Sequence, residues 1–154
     1  MSQLSKYPLF LFFSLLFGAY SAAAQTFEAP VYDTKRTTKE LRLTKVQVTA
    51  KYTICDMVYT NTFDSKNSQE TPNYIYIISD MHLYDVKTQQ KYYVIKTENI
   101  PMLPEKYGFK HVGESLRFRV YFPRIDPKKT FIFHILEDVD RGFKFYNVRL
   151  MPVA

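Results

Sequence analysis

Few side chains in this 154-residue sequence are of types that do chemistry, and their spacing limits what that chemistry can be. Cys55 next to a histidine would make a nucleophile pair, since a neighbouring base activates the thiol. Cys55, however, sits inside the alternating run YTICDMVYT, where a free cysteine behaves as a small apolar residue. His82, His111 and His134 are far apart and form no H-x-x-x-H or H-x-x-E-H pair, spacings that put two imidazoles on one metal. His134 falls mid-strand in an apolar run, which suits a hydrogen-bonded sheet histidine better than a ligand. Glu137, Asp138 and Asp140 cluster in one loop and offer the oxygens that Ca²⁺ takes. They are the first residues to consider for a metal, but they lack the D-x-D-x-D-G run of an EF-hand, and a solvated turn accounts for them. With four glycines, the chain has no G-x-S-x-G elbow and no phosphate-cradling loop. An enzyme would have to assemble its site from scattered groups such as His134, Glu137 and Asp138. No enzymatic activity, metal or cofactor is expected.

The aromatic residues are more suggestive. The sequence holds 13 Tyr, 13 Phe and no Trp. Tyr74, Tyr76, Tyr84, Tyr92 and Tyr93 fall on neighbouring strands of an expected hairpin region. Tyr76, Tyr84, Tyr92 and Tyr93 form the candidate binding face. A tyrosine joins an apolar ring to a polar tip, which suits protein or glycan recognition. Lack of tryptophan weighs against the glycan version, and most of the rings should be core or edge packing.

The elements that must position these residues are strands. In LRFRVYF, Leu116, Phe118, Val120 and Phe122 share one face and Arg117, Arg119 and Tyr121 the other, the period of a half-buried strand. TFIFHILED is apolar on both parities, which predicts a central strand buried on both faces. Asp138–Gly142 reads as a loop in which Gly142 supplies any positive φ. In FKFYNVRL the parity changes between Phe145 and Val148, predicting a one-residue bulge at Tyr146–Asn147. A similar slip in LRLTKVQVT predicts a bend or bulge at Thr44–Lys45. Tyr52–Thr60 and Tyr74–Ser79 read as strands, with a loop at Asn61–Asn73 between them. Met81–Val86 and Lys91–Thr97 read as a hairpin. Asn99–Gly113 reads as an ordered loop crossing between sheets, and no helix longer than a turn is signalled. About seven or eight short strands predict an all-β, immunoglobulin-like sandwich of two antiparallel sheets, with a small closed barrel as the alternative. The Cys–Trp–Cys signature is absent, and a single Cys makes no intramolecular disulfide.

Residues 1–24 read as a cleaved export signal: Lys6, an apolar centre of about 12 residues, and a small-residue cleavage site at Ala22-Ala23-Ala24. That centre is shorter than the roughly 20 residues a membrane span needs, so no span is expected after cleavage. The protein is expected in a periplasm, at a cell surface or outside the cell. Residues 25–39 read as an extended lead-in and 40–154 as the sandwich domain. The net charge of +6 comes from basic residues scattered singly or in pairs, whereas nucleic-acid binding usually needs a clustered basic face. No nucleic-acid partner is expected.

The stretch V-x-V-T-x-x-Y-T at Val46–Thr53, the hairpin MHLYDVKTQQKYYVIKTENIPMLPEK, and the strands SLRFRVYFPRIDP, FIFHILED and FKFYNVRL carry a family resemblance. Together they resemble poorly characterised exported immunoglobulin-like modules of Bacteroides-type bacteria. Gln90 stands where the hairpin of that group has Gly, and Asn99 stands for the Gly before Ile100-Pro101. The shared motifs are structural and imply no catalytic residue. Some of those modules precede a thioredoxin-like redox domain, and no such activity is expected of this sequence, which runs to Ala154. The expected function is protein–protein contact in the bacterial envelope. A glycan-binding module built on the tyrosine-rich face is the alternative.

Overall fold

The computed structural model describes residues 23–63 and 73–151. Most of the expected export signal and most of the Asn61–Asn73 loop lie outside these residues. Within them the protein is all-β, and no helix is long and apolar enough to cross a membrane. In chain order the strands are β1 (Gln25–Glu28), β2 (Leu41–Val48), β3 (Tyr52–Thr60), β4 (Tyr74–Ile75), β5 (His82–Asp85) and β6 (Lys91–Tyr93). They continue with β7 (Lys96–Glu98), β8 (Tyr107–Gly108), β9 (Ser115–Pro123), β10 (Ile132–Leu136) and β11 (Lys144–Arg149). Two larger sheets, ordered β1-β2-β3-β9-β7 and β11-β10-β5-β6, pair antiparallel throughout, and β4 pairs with β8 in a third, two-stranded piece. The result is sandwich-like, with two open sheets instead of a closed barrel.

The period of two in β9 appears in Phe118, Val120 and Phe122, which are buried, and in Arg117 and Arg119, which are exposed; Tyr121, expected on the outer face, is buried as well. Cys55 and Met57 of β3 join them in the core, and from the second sheet come Leu83, Phe133, Ile135, Phe145 and Val148. Each such fully buried side chain contributes roughly 1.5–3 kcal/mol through apolar area removed from water.

Both expected bulges are present. Leu43 pairs with Met57 and Lys45 with Asp56, leaving Thr44 as the extra residue on β2. Phe133 pairs with Val148 and Ile135 with Phe145, so Tyr146 and Asn147 together oppose His134. The bulge brings Phe145 and Val148 to the same inner face, as the parity change required.

Several expectations need correction. β10 is central, between β11 and β5, but it is buried on one face only. Phe133 and Ile135 point inward, whereas Ile132, His134 and Leu136 are half-buried and Phe131 is exposed. Its outer apolar residues lie on a sheet face that no second layer covers among the described residues. The Tyr74–Ser79 run reduces to β4 and an isolated bridge from Ile77 to Met102. Lys91–Thr97 is two strands, because the chain leaves the second sheet after Tyr93 and enters the first at Lys96. The Asn99–Gly113 loop contains β8. Such divisions give eleven strands among the described residues, where seven or eight were expected: alternation marks a run, but hydrogen bonding decides how many partners share it. In the β10–β11 loop the positive φ belongs to Arg141. Gly142 is required for space instead, since a Cβ there would sit 2.7 Å from the Glu137 Cβ and 2.9 Å from its carbonyl oxygen.

Residues 25–39 are woven into the domain. β1 pairs with β2 and buries Phe27. The chain then crosses to the second sheet and straps its edge. Arg149 donates its N–H to the Val31 carbonyl, and Asp33 and Thr38 donate theirs to Tyr146 and Lys144. Tyr32 anchors the strap edge-on against Phe145, at 5.2 Å between centroids. A covered edge is one that cannot recruit another strand.

Candidate functional site

The outer face of the four-stranded sheet is the candidate site, and register builds it. His134 of β10 lies opposite Tyr84 of β5, Tyr84 lies opposite Lys91 of β6, and His134 faces the β11 bulge that carries Tyr146. One row thus runs across the sheet: Lys91, Tyr84, His134, Tyr146. Arg36 of the strap extends it, with its guanidinium 4.0 Å from the Tyr146 ring centroid. On one side of this row Ile132 pairs with Arg149, and on the other Leu136 pairs with Lys144 and His82, and His82 with Tyr93. Apolar and aromatic groups therefore occupy the middle of the face. Arg36, Lys144 and Arg149 follow its β11 margin, and Lys91 marks its β6 margin.

The rings are locked to one another. Tyr84 and His134 stack nearly parallel (10°, 5.8 Å), and His134 meets Tyr146 edge-to-face at 5.2 Å. His134 Nδ1 accepts the N–H of Asn147 at 2.9 Å. Asn147 sits at φ 53°, and its N–H is the donor that the bulge removes from the ladder. Accepting this bond requires a neutral imidazole protonated on Nε2. Burial, and then the Arg36 cation nearby, lower the His134 pKa from the ordinary histidine value, in keeping with that role. The histidine is a fastener for the bulge, and the rings beside it inherit their positions from it.

The four tyrosines of the expected face do not share one surface. Tyr84 and Tyr93 are on the outer face described here. Tyr92 pairs with Leu83 and packs inward against the core. Tyr76 lies with Tyr74 near the β4–β8 piece, the two rings stacked at 6.3 Å with Lys106 4.2 Å from the Tyr74 centroid. They border a cleft of about 640 Å³ that also involves Leu103, Val139 and Arg141. A single sequence run places these rings on strands that the fold separates.

The other candidate residues have structural partners. Glu137 is buried, and its two carboxylate oxygens accept the N–H groups of Ile78 (3.1 Å) and Phe143 (2.9 Å). Burial pushes its pKa up, against the pull of those two N–H groups. Asp138 accepts from Lys91 at 3.1 Å and lies 4.0 Å from His82 Nε2, while Asp140 is exposed. Among the described residues no group of three or more His, Cys, Asp and Glu side chains is placed to hold a metal ion. Cys55 is fully buried, and that burial, followed by the adjacent Asp56 carboxylate, drives its thiol far above the ordinary range. A thiol so held does not supply thiolate for nucleophilic attack. His134, Glu137 and Asp138 do not converge, and His111 is exposed at a turn.

Sequence reading did not identify Tyr146 and Arg36 as members of the site. The predicted bulge was the signal that bears on Tyr146, because it turns that residue outward next to His134. Arg36 left no such trace, for its place depends on the strap. Comparison of the chain with protein-family models, with curated proteins and with solved structures finds no match.

Proposed function

We propose that this protein is an exported, non-enzymatic, immunoglobulin-like domain that recognises another protein of the bacterial envelope through the outer face of its four-stranded sheet. Strand order supports the immunoglobulin-like part. With β2, β3, β9 and β7 taken as A, B, E and D, and β11, β10, β5 and β6 as G, F, C and C′, the two sheets follow the ABED and GFCC′ orders of that fold. Support for the resemblance to Bacteroides-type modules comes from Asn99, which has φ 62°. This is the position where those modules carry Gly, and asparagine is among the few other residues that adopt that conformation readily.

The observation that carries the functional reading is the composition of that one face. An aromatic and aliphatic centre with a cationic margin matches the anatomy of protein interfaces, in which Tyr and Arg are enriched. The glycan alternative needs ring faces open to stack on sugars. Here one face of Tyr84 stacks on His134 and one face of Tyr146 is covered by Arg36, which leaves less ring surface for a sugar. The test is to tag the protein in its own envelope, cross-link, and identify what co-purifies. A single stoichiometric protein partner is the expected result. Recovery of the protein alone, together with binding on a glycan array, would overturn the reading.

A further inference from the structure

We infer that the partner docking on this face is an acidic polypeptide segment, with carboxylates flanking apolar side chains. The inference rests on the functional reading above and names the chemistry of its partner. Four cations border the face: Arg36, Lys144 and Arg149 on the β11 margin and Lys91 on the β6 margin. Among the described residues no carboxylate forms an ion pair with Arg36, Lys144 or Arg149, whereas Lys91 is held by Asp138. The Lys144 ammonium donates to the Val139 carbonyl, at 2.8 Å. Between the margins lie Ile132, Leu136 and the Tyr84–His134–Tyr146 stack, which are half-buried and have no covering layer among the described residues.

The opposite face of the molecule carries a row of charges that is satisfied internally. There Arg119 and Lys45 are both paired with carboxylates. Arg42 and Arg117 on that face are exposed and have no ion pair among the described residues. What distinguishes the four-stranded sheet is therefore unpaired cations placed around an apolar and aromatic centre. Charge complementarity then selects and steers a partner of the opposite sign. A second copy of the chain fits poorly. It would bring four more cations and, on Asp138, a carboxylate already engaged. A polyanion without apolar groups would use the margin and leave the centre wet.

The experiment uses the full chain and labelled synthetic peptides of equal length, with binding read by fluorescence anisotropy at low and at physiological salt. One peptide has Asp and Glu flanking Leu and Phe, a second has Lys and Arg in place of the acids, and a third keeps the acids but has Ser in place of Leu and Phe. Polygalacturonate serves as a non-peptide polyanion. The expected result is that the first peptide binds at least tenfold tighter than the other two and than the polyanion. The double variant Arg36→Glu/Arg149→Glu should lose at least tenfold of that affinity, while Arg117→Glu on the other face keeps it. All three positions are exposed, and an unchanged melting temperature verifies the fold of each variant. Equal binding of acidic and basic peptides, equal or tighter binding of the polyanion, or equal loss in Arg117→Glu overturns the inference. So does a homodimer that the double variant dissolves. A captured envelope protein whose binding is indifferent to Arg36→Glu/Arg149→Glu would sink this inference and leave the recognition reading standing. Recovery of the protein alone, together with binding on a glycan array, would sink that reading itself.

Discussion

On the outer face of the five-stranded sheet, five residues from five strands form one cross-sheet row: Glu28, Lys45, Asp56, Arg119 and Glu98. Each is the direct cross-strand partner of the next, and the charges alternate. Their ion pairs measure 3.7, 3.9, 3.0 and 3.7 Å in that order. The outer face of the four-stranded sheet also carries one row across its strands, but it reads Lys91, Tyr84, His134, Tyr146 and then Arg36. Both rows arise from the same alternation. The first answers each of its charges with the opposite one inside the molecule, although Arg42 and Arg117 beside it stay unpaired among the described residues. The second satisfies its rings against each other and leaves cations at its end and along its margin. A self-neutralised row serves stability and solubility, and unpaired cations around an apolar and aromatic centre are where recognition should be sought.

The sharpest way to break the comparison is to attack the fastener of the aromatic row. His134→Ala leaves the Asn147 N–H of the bulge without its acceptor, and should cost about 2–3 kcal/mol in urea denaturation. A loss below about 0.5 kcal/mol would show that the bulge stands without the imidazole. Next in size is Arg119→Glu, which sets like charges side by side across β3, β9 and β7. It should cost about 2 kcal/mol from two lost pairs and two repulsions.

A pH series separates the two rows further. His134 has a lower pKa folded than unfolded, so the unfolded chain binds its proton first, near pH 6.5. Stability should therefore be constant above that pH with respect to this group. It should fall as pH drops below about 6.5 until the folded pKa is also passed. The decline is read as a falling urea midpoint, and its His134 part should be missing in His134→Ala. Tyr84→Ala should cost less, about 0.5–1 kcal/mol for one stacked pair, because Tyr84 holds no backbone group in place. If it costs as much as Arg119→Glu, the aromatic row is structural after all. The smallest effect is that of salt. Raising ionic strength from about 0.1 to 1 M shortens the screening length from about 10 to 3 Å. It should remove a few tenths of a kcal/mol from the wild-type chain, and less from Arg119→Ala, whose ladder is already broken.

Much of the β pattern was legible in particular residues. The parity change at Tyr146–Asn147 and the slip at Thr44 located both bulges, because a side chain's facing is a local property of a pleated strand. Burial of Phe118, Val120 and Phe122 in β9 followed from the same rule, and burial of Tyr121 on the other parity did not. Where apolar residues filled both parities, as in β10, alternation carried no information and two-sided burial was the wrong inference. The tyrosines were misjudged for a related reason: Tyr76, Tyr84, Tyr92 and Tyr93 are close in sequence, but closeness does not say which strand of which sheet each joins.

The sequence by itself determined that the chain makes strands, where two of them bulge, and that Cys55 and the three histidines form no recognisable catalytic motif. Only the tertiary structure decided which strands are neighbours. The ionic row draws on residues from Glu28 to Arg119, and the aromatic row needs Arg36 beside Tyr146, more than 100 positions away. Alternation between faces is fixed by the covalent geometry of each strand. Lateral order is set by how the loops close and how two apolar faces find each other, and that information is spread along the whole chain.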